Sequence, residues 1–86
     1  IYDAQNRLYL LGSGKVFRKS EIYGRYISFM PLTEVVEGLT LKGFKYPLNR
    51  RRIVLGTSLC ISNELNGEEG IMEVEKGVLI CVEAHD

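Results

Sequence analysis

No charge of either sign prevails in this chain: its 86 residues carry 11 lysines and arginines against 11 aspartates and glutamates. Domains that hold nucleic acid or anionic membrane are usually basic, so the balance argues against both partners. No apolar run reaches the roughly 18 residues of a transmembrane helix, and no signal peptide is expected. Histidine is nearly absent. The single copy, His85, sits beside the last residue, where chains usually fray, and no serine or cysteine nearby makes a nucleophile pair with it. The two cysteines, Cys60 and Cys81, show no CxxC or Cys/His spacing. No metal site is expected from them, and both read as buried free thiols of a reducing, cytosolic compartment. No window of helical length keeps apolar residues at i, i+3 and i+4 without a glycine, so almost no helix is expected. Internal repeats and low-complexity tracts are missing too.

What is present is turn chemistry between short apolar runs. Turn signals recur at Gly12-Ser13-Gly14, Tyr23-Gly24, Gly38, Gly43, Asn49, Gly56, Asn66-Gly67 and Lys76-Gly77. The runs between them are rich in Val, Ile, Leu, Tyr and Phe, the signature of an all-β sandwich or barrel. Strands are predicted over 7–11, 15–19, 26–31, 35–42, 44–48, 52–56, 58–62, 69–75 and 78–84. In RIVLGTSLCIS, residues 52–62, one parity carries Ile53, Leu55, Leu59 and Ile61 and is expected to face the core. Lys76-Gly77 reads as a tight hairpin, with Met72, Val74, Val78, Ile80 and Val82 on its inward face. In TLKGFKYPL, residues 40–48, the apolar parity switches across Gly43: Leu39 and Leu41 are odd, Phe44, Tyr46 and Leu48 even. A bulge or bend is expected there. A chain of this length buries only about 60–65% of its unfolded surface, so its stability is marginal or shared with a partner. It opens on Ile1 rather than Met, and we expect it to come from something longer.

Chemistry-bearing candidates are few. Gly12-Ser13-Gly14 lacks the following helix that a phosphate cradle needs, and reads as a hairpin turn. Arg50-Arg51-Arg52 is either a solvated edge or a contact for phosphate or an acidic domain. Glu64, Glu68, Glu69, Glu73 and Glu75 surround a glycine-containing turn and read as solvated rather than as an acid/base pair. No complete catalytic constellation is present. Ser62-Asn63 can read the edge of an aminopyrimidine or equally cap a turn, and alternation alone does not choose. Tyr46 reads from pattern as a core aromatic, with a flat wall for an aromatic or cationic ligand as the alternative.

TLKGFKYPL at 40–48, NRRRIVLG at 49–56 and TSLCISNE at 57–64, together with YISFMPLTEVVEGLTL at 26–41, resemble the C-terminal thiamine-binding domain of bacterial thiamine pyrophosphokinases. The residues that carry the likeness are Gly43, Phe44, Lys45, Tyr46 and Leu48, then Gly56, Ser58, Ser62 and Asn63. The resemblance implies a small antiparallel β-sandwich of jelly-roll type spanning 1–86 as one thiamine-binding domain. It also implies a parent enzyme that moves pyrophosphate from ATP to thiamine, giving thiamine diphosphate and AMP. In that parent an N-terminal α/β domain, absent here, holds ATP and Mg²⁺. The expected partners are thiamine, that domain, and a second subunit, with thiamine at the boundary of a cytoplasmic homodimer.

By position, the resemblance puts Tyr46 against the thiamine rings and Ser62 and Asn63 on the aminopyrimidine, with Gly43 and Lys45 flanking the pocket. No catalytic residue, metal ligand or cofactor is expected in this chain, and alone it is expected to be inactive. The Arg run departs from the family pattern. Two other readings compete: a non-enzymatic β-sandwich for interaction or oligomerisation, and a single-strand-binding barrel using Lys42, Lys45, Tyr46 and Arg50 to Arg52.

Overall fold

The computed structural model describes residues 6–55 and 61–85. Eight strands follow one another: β1 (Asn6–Leu11), β2 (Lys15–Arg18), β3 (Tyr26–Pro31), β4 (Val35–Lys42), β5 (Leu48–Val54), β6 (Ile61–Asn63), β7 (Glu69–Glu73) and β8 (Leu79–Ala84). No helix forms among the described residues. The strands make two four-stranded antiparallel sheets, ordered β1-β8-β3-β6 and β2-β7-β4-β5. Every connection but β4–β5 carries the chain from one sheet to the other, which is the jelly-roll way of sharing a core between two layers.

That topology corrects two expectations. Gly12-Ser13-Gly14 and Lys76-Gly77 are not hairpin turns: β1 pairs with β8, and β2 with β7. Both turns instead cross the sandwich edge. Glycine-rich turn chemistry serves a corner as readily as a hairpin, so local sequence does not tell them apart. The inward face of the last strand is corrected with them. Leu79, Cys81 and Glu83 are buried, while Ile80 and Val82 are the half-buried parity. Met72 is fully buried and Val74 packs beside the core, as expected.

Three phenylalanines build the centre. Phe17, Phe29 and Phe44 meet edge to face with ring centroids 5.9, 5.8 and 6.0 Å apart. Each such pair adds about 0.5–1.5 kcal/mol to the area it buries. Ile27, Val36, Leu39, Leu41, Ile53, Met72, Leu79 and Cys81 surround them. Leu55, expected with Ile53 in the core, is 50% exposed, because β5 has ended at Val54. Leu59 and Cys60 lie outside the described residues, as does most of the predicted strand over 58–62.

The predicted strand over 44–48 is not one. Phe44 makes a single bridge to Leu65, and β5 begins only at Leu48. The parity switch is a bend at Gly43, whose φ is 77°. A Cβ there would stand 2.5 Å from the Glu69 carbonyl oxygen. Phe44 can then reach the core because Gly70 is also bare: a Cβ on Gly70 would sit 2.8 Å from the Phe44 ring. Gly43→Ala is expected to cost about 1–3 kcal/mol, from left-handed strain and the backbone clash, seen as a lower urea midpoint.

Beyond the bend, β5 is an edge strand with irregular register against β4, and Arg50 takes a positive φ of 49°. Its N–H donates to Thr40 Oγ1 at 3.1 Å. Arg50 pairs with Glu75 at 3.1 Å and Arg52 with Glu37 at 3.9 Å. The three arginines therefore stand exposed on the edge strand, two of them beside carboxylates of the chain itself.

Candidate functional site

Two segments far apart in sequence are stitched together at one end of the sandwich. Lys45 N–H donates to the Glu64 carbonyl at 2.8 Å, and Asn66 N–H donates to the Gly43 carbonyl at 2.8 Å. Asn63 completes the seam with its side chain. Its Nδ2 donates to the Tyr46 carbonyl at 2.7 Å, and its Oδ1 accepts from the Tyr46 N–H at 2.9 Å and the Glu64 N–H at 3.0 Å. Asn63 is only 1% exposed, so these bonds replace all its water. They hold the Tyr46 backbone away from the strand geometry its sequence pattern favours, and the residue stands 56% exposed. The core reading of Tyr46 is thereby corrected.

The result is a groove of about 280 Å³ lined by Tyr26, Tyr46, Ser62, Asn63 and Glu64. Tyr46, Ser62 and Asn63 come together as the sequence motifs anticipate. Lys45 stands at the rim, its Nζ 5.6 Å from the centre of the Tyr46 ring and 3.7 Å from Glu64 Oε2. Gly43 does not line the groove; it is the bend that delivers its wall. Two groove residues escaped sequence reasoning. Tyr26 opens β3 and carries no local mark of its role. Glu64 adjoins Ser62-Asn63 but read as one more turn carboxylate. A larger cleft of about 580 Å³ adjoins through Glu64, with Lys19, Tyr23, Arg25 and His85 in its wall.

Electrostatically the groove pairs carboxylate, cations and ring faces. Arg25 Nε lies 3.0 Å from Glu64 Oε1, and its guanidinium stands 5.4 Å from the Tyr26 ring centre. The Arg25 hydrogen bond, with further help from Lys45, holds the Glu64 carboxyl below its ordinary value of 4.5. A depressed folded value means that the pairing stabilises the fold above that ordinary value and is lost as pH falls through the folded one. Arg25→Ala is expected to flatten the acid limb of a plot of urea midpoint against pH below about pH 4.5. An unchanged limb would mean that the Arg25–Glu64 pair contributes nothing.

Both tyrosine rings already sit beside a cation of the chain itself, so a flat, positively charged ring would find the same attraction there. A jelly-roll sandwich that gathers two tyrosines, a hydroxyl and a carboxylate in one groove defines a small-ligand-binding domain. The comparisons with known proteins agree. The family described as thiamin pyrophosphokinase, vitamin B1 binding domain, matches residues 15–79. Thiamine pyrophosphokinase of Bacillus subtilis is 43% identical over 86 residues, covering 100% of this chain and 40% of that protein. Its crystal structure superposes with a TM-score of 0.88 at 44% identity, over 99% of this chain and 40% of that one. The structure of thiamin pyrophosphokinase from Geobacillus thermodenitrificans gives a TM-score of 0.89 at 36% identity, with the same two coverages. The chain belongs to the vitamin B1 binding domain family of thiamin pyrophosphokinases. It spans about 40% of the length of the relatives it matches.

Proposed function

We propose that this chain binds thiamine and positions it within a longer thiamine pyrophosphokinase, which transfers pyrophosphate from ATP to thiamine to give thiamine diphosphate and AMP. The observation that carries the reading is the convergence of Tyr46, Ser62 and Asn63 in one groove with Tyr26 and Glu64. Thiamine is flat, aromatic and cationic, and its aminopyrimidine presents hydrogen-bond donors and acceptors. The tyrosine faces match the cationic ring system, and the exposed Ser62 hydroxyl matches the polar edge. Asn63 acts by holding Tyr46, through the seam of bonds described above.

Phosphoryl transfer rests on positioning and charge stabilisation. In this reading the groove contributes positioning. A further domain of the longer protein contributes ATP and Mg²⁺ binding, and this chain by itself performs no transfer. A homodimer with the groove at the subunit boundary, and a cytoplasmic location, belong to the same reading.

Titration calorimetry of the chain with thiamine tests the ligand. Tyr46→Ala is expected to weaken binding about 2- to 30-fold, the range of one cation–π contact. It should leave the urea midpoint almost unchanged, because the ring is exposed. In the longer enzyme the same substitution should raise the KM for thiamine well above any change in the KM for ATP. Equal effects on both would count against the groove as the thiamine site.

A further inference from the structure

The chain between β2 and β3 is a strap fastened along its length. Lys19 N–H donates to the Glu68 carbonyl at 2.9 Å. Glu21 and Ile22 N–H donate to the Arg18 carbonyl at 2.8 and 3.1 Å. Tyr23 N–H donates to the buried Glu83 carboxylate at 2.7 Å. Gly24 then lies against the end of β8: a Cβ there would stand 2.3 Å from the Ala84 carbonyl oxygen. This strap walls the cleft of about 580 Å³ beside the groove, with Glu64 and Leu65 also in the wall.

The cleft has the volume of a small-molecule site, whereas the groove alone, at about 280 Å³, falls just below that range. Ile22 and Leu65 make part of it apolar. The Tyr23 and His85 rings, 5.1 Å apart between centroids, bring a hydroxyl and an imidazole. Its charge is positive. Lys19 is exposed and forms no ion pair among the described residues. Arg25 and Lys45 both reach Glu64, at 3.0 and 3.7 Å, so the one carboxylate of the wall already faces two cations. Thiamine carries no anionic group, so this excess serves no part of it.

We infer that the cleft is a phosphate subsite: the rings of a phosphorylated thiamine lie in the groove, and its phosphate tail passes Glu64 to lie beside Lys19, Arg25 and His85. The inference rests on the proposed groove for the placing of the rings. Cleft and groove share Glu64 in their walls, so one ligand can span both. Arg25 links them as well, since its guanidinium stands 5.4 Å from the centre of the Tyr26 ring of the groove. A flexible ammonium and a planar guanidinium are the cations that phosphate oxygens take best, and ring donors add to them. Glu64, held by two cations, repels the tail far less than a lone carboxylate would. The chain then holds thiamine diphosphate, the product of the proposed transfer, more tightly than thiamine.

Titration calorimetry of the chain with thiamine, thiamine diphosphate and inorganic diphosphate tests this. Salt is kept near about 50 mM, because contacts to exposed charges are screened above it. Thiamine diphosphate is expected to bind about 2- to 30-fold tighter than thiamine, the span of two solvated charge contacts. Lys19→Glu should bring that ratio to about one or below, and Lys19→Ala partway. Lys19 is exposed, so neither replacement disturbs the core. Equal affinities in the unaltered chain overturn the inference and leave the groove reading standing. A ratio that survives Lys19→Glu also overturns it, because the phosphate then lies elsewhere. If neither thiamine nor its diphosphate binds, the groove reading falls, and inorganic diphosphate decides the cleft. Binding that Lys19→Glu abolishes supports a phosphate site filled by a free anion, and no binding overturns it.

Discussion

Glu83→Ala will destabilise the fold by about 3–5 kcal/mol, the cost of breaking a buried ion pair from one side. Glu83 is 0% exposed on the inward parity of β8. Its carboxylate accepts hydrogen bonds from the Arg7 guanidinium, from the Tyr9 hydroxyl and from the Tyr23 backbone N–H, the last at 2.7 Å. One charge thus ties β1, β8 and the segment before β3 into a single corner. Burying a carboxylate costs several kcal/mol, offset here by a cation and two further donors. Alanine removes the acceptor and leaves the guanidinium and the hydroxyl facing a cavity.

Tyr9 cannot compensate by ionising. Burial, with Cys81 and Glu83 beside it, pushes its hydroxyl far above the ordinary value, so it remains a donor. Cys81 cannot take over as the anion either, because burial pushes its thiol up to about 11. A chain of this size has about 4–13 kcal/mol of stability in all, so the variant loses a large share of it. Glu83→Gln, which keeps the acceptor and the shape, should lose less. The double replacement Arg7→Met with Glu83→Leu should be more stable than Glu83→Ala, since no charge is left buried alone. The chain has no tryptophan, so urea unfolding is best followed by far-UV circular dichroism. A loss below about 1 kcal/mol for Glu83→Ala would show that the corner is held by packing alone.

Asn63→Ala is expected to lose both stability and ligand. It orphans the Tyr46 N–H, the Tyr46 carbonyl and the Glu64 N–H at once. Each unsatisfied group costs about 1–3 kcal/mol when water is kept out; with Tyr46 exposed, the sum should be about 2–4 kcal/mol. The larger effect is on the groove. Freed from its seam, the 43–47 connection no longer holds Tyr46 opposite Ser62, and a displacement of about 1 Å at a positioned group can cost about 100-fold. Thiamine affinity should therefore fall further for Asn63→Ala than for Tyr46→Ala, although Asn63 is the more deeply buried. Asn63→Asp should do no better. It keeps an acceptor for the two N–H groups, loses the donor to the Tyr46 carbonyl and sets a buried negative charge against that oxygen. If Asn63→Ala left the urea midpoint unchanged and weakened thiamine binding only as much as Tyr46→Ala, Asn63 would be a simple ligand contact.

Much of the fold was legible because its signals are local. Turn residues at short intervals and runs of β-branched and aromatic residues placed most strands to within two or three residues. Gly43 announced its bend through the parity change, and the backbone bends there with a positive φ. The failures share a cause. A glycine turn marks where a strand ends, not which sheet the next strand joins, so two inter-sheet corners looked like hairpins. Alternation assigns a face only when one parity is polar. From Val78 to Val82 neither is, and the inward residues were misassigned. Tyr46 read as core because its own neighbours alternate. The residue that pulls it out, Asn63, lies 17 positions away and reaches it only through the folded seam.

The sequence by itself determined the all-β class, the positions of most strands, the bend at Gly43 and the two motifs that mark the family. All of these are written in periods and turns that span a few residues. Only the tertiary structure decided which strands pair, which parity of β8 faces inward, that Tyr26 joins Tyr46 and Ser62, and that Glu83 is a buried anchor. Each of those depends on which distant segment arrives opposite a residue. In a jelly roll almost every pairing is non-local, so short-range pattern cannot specify it.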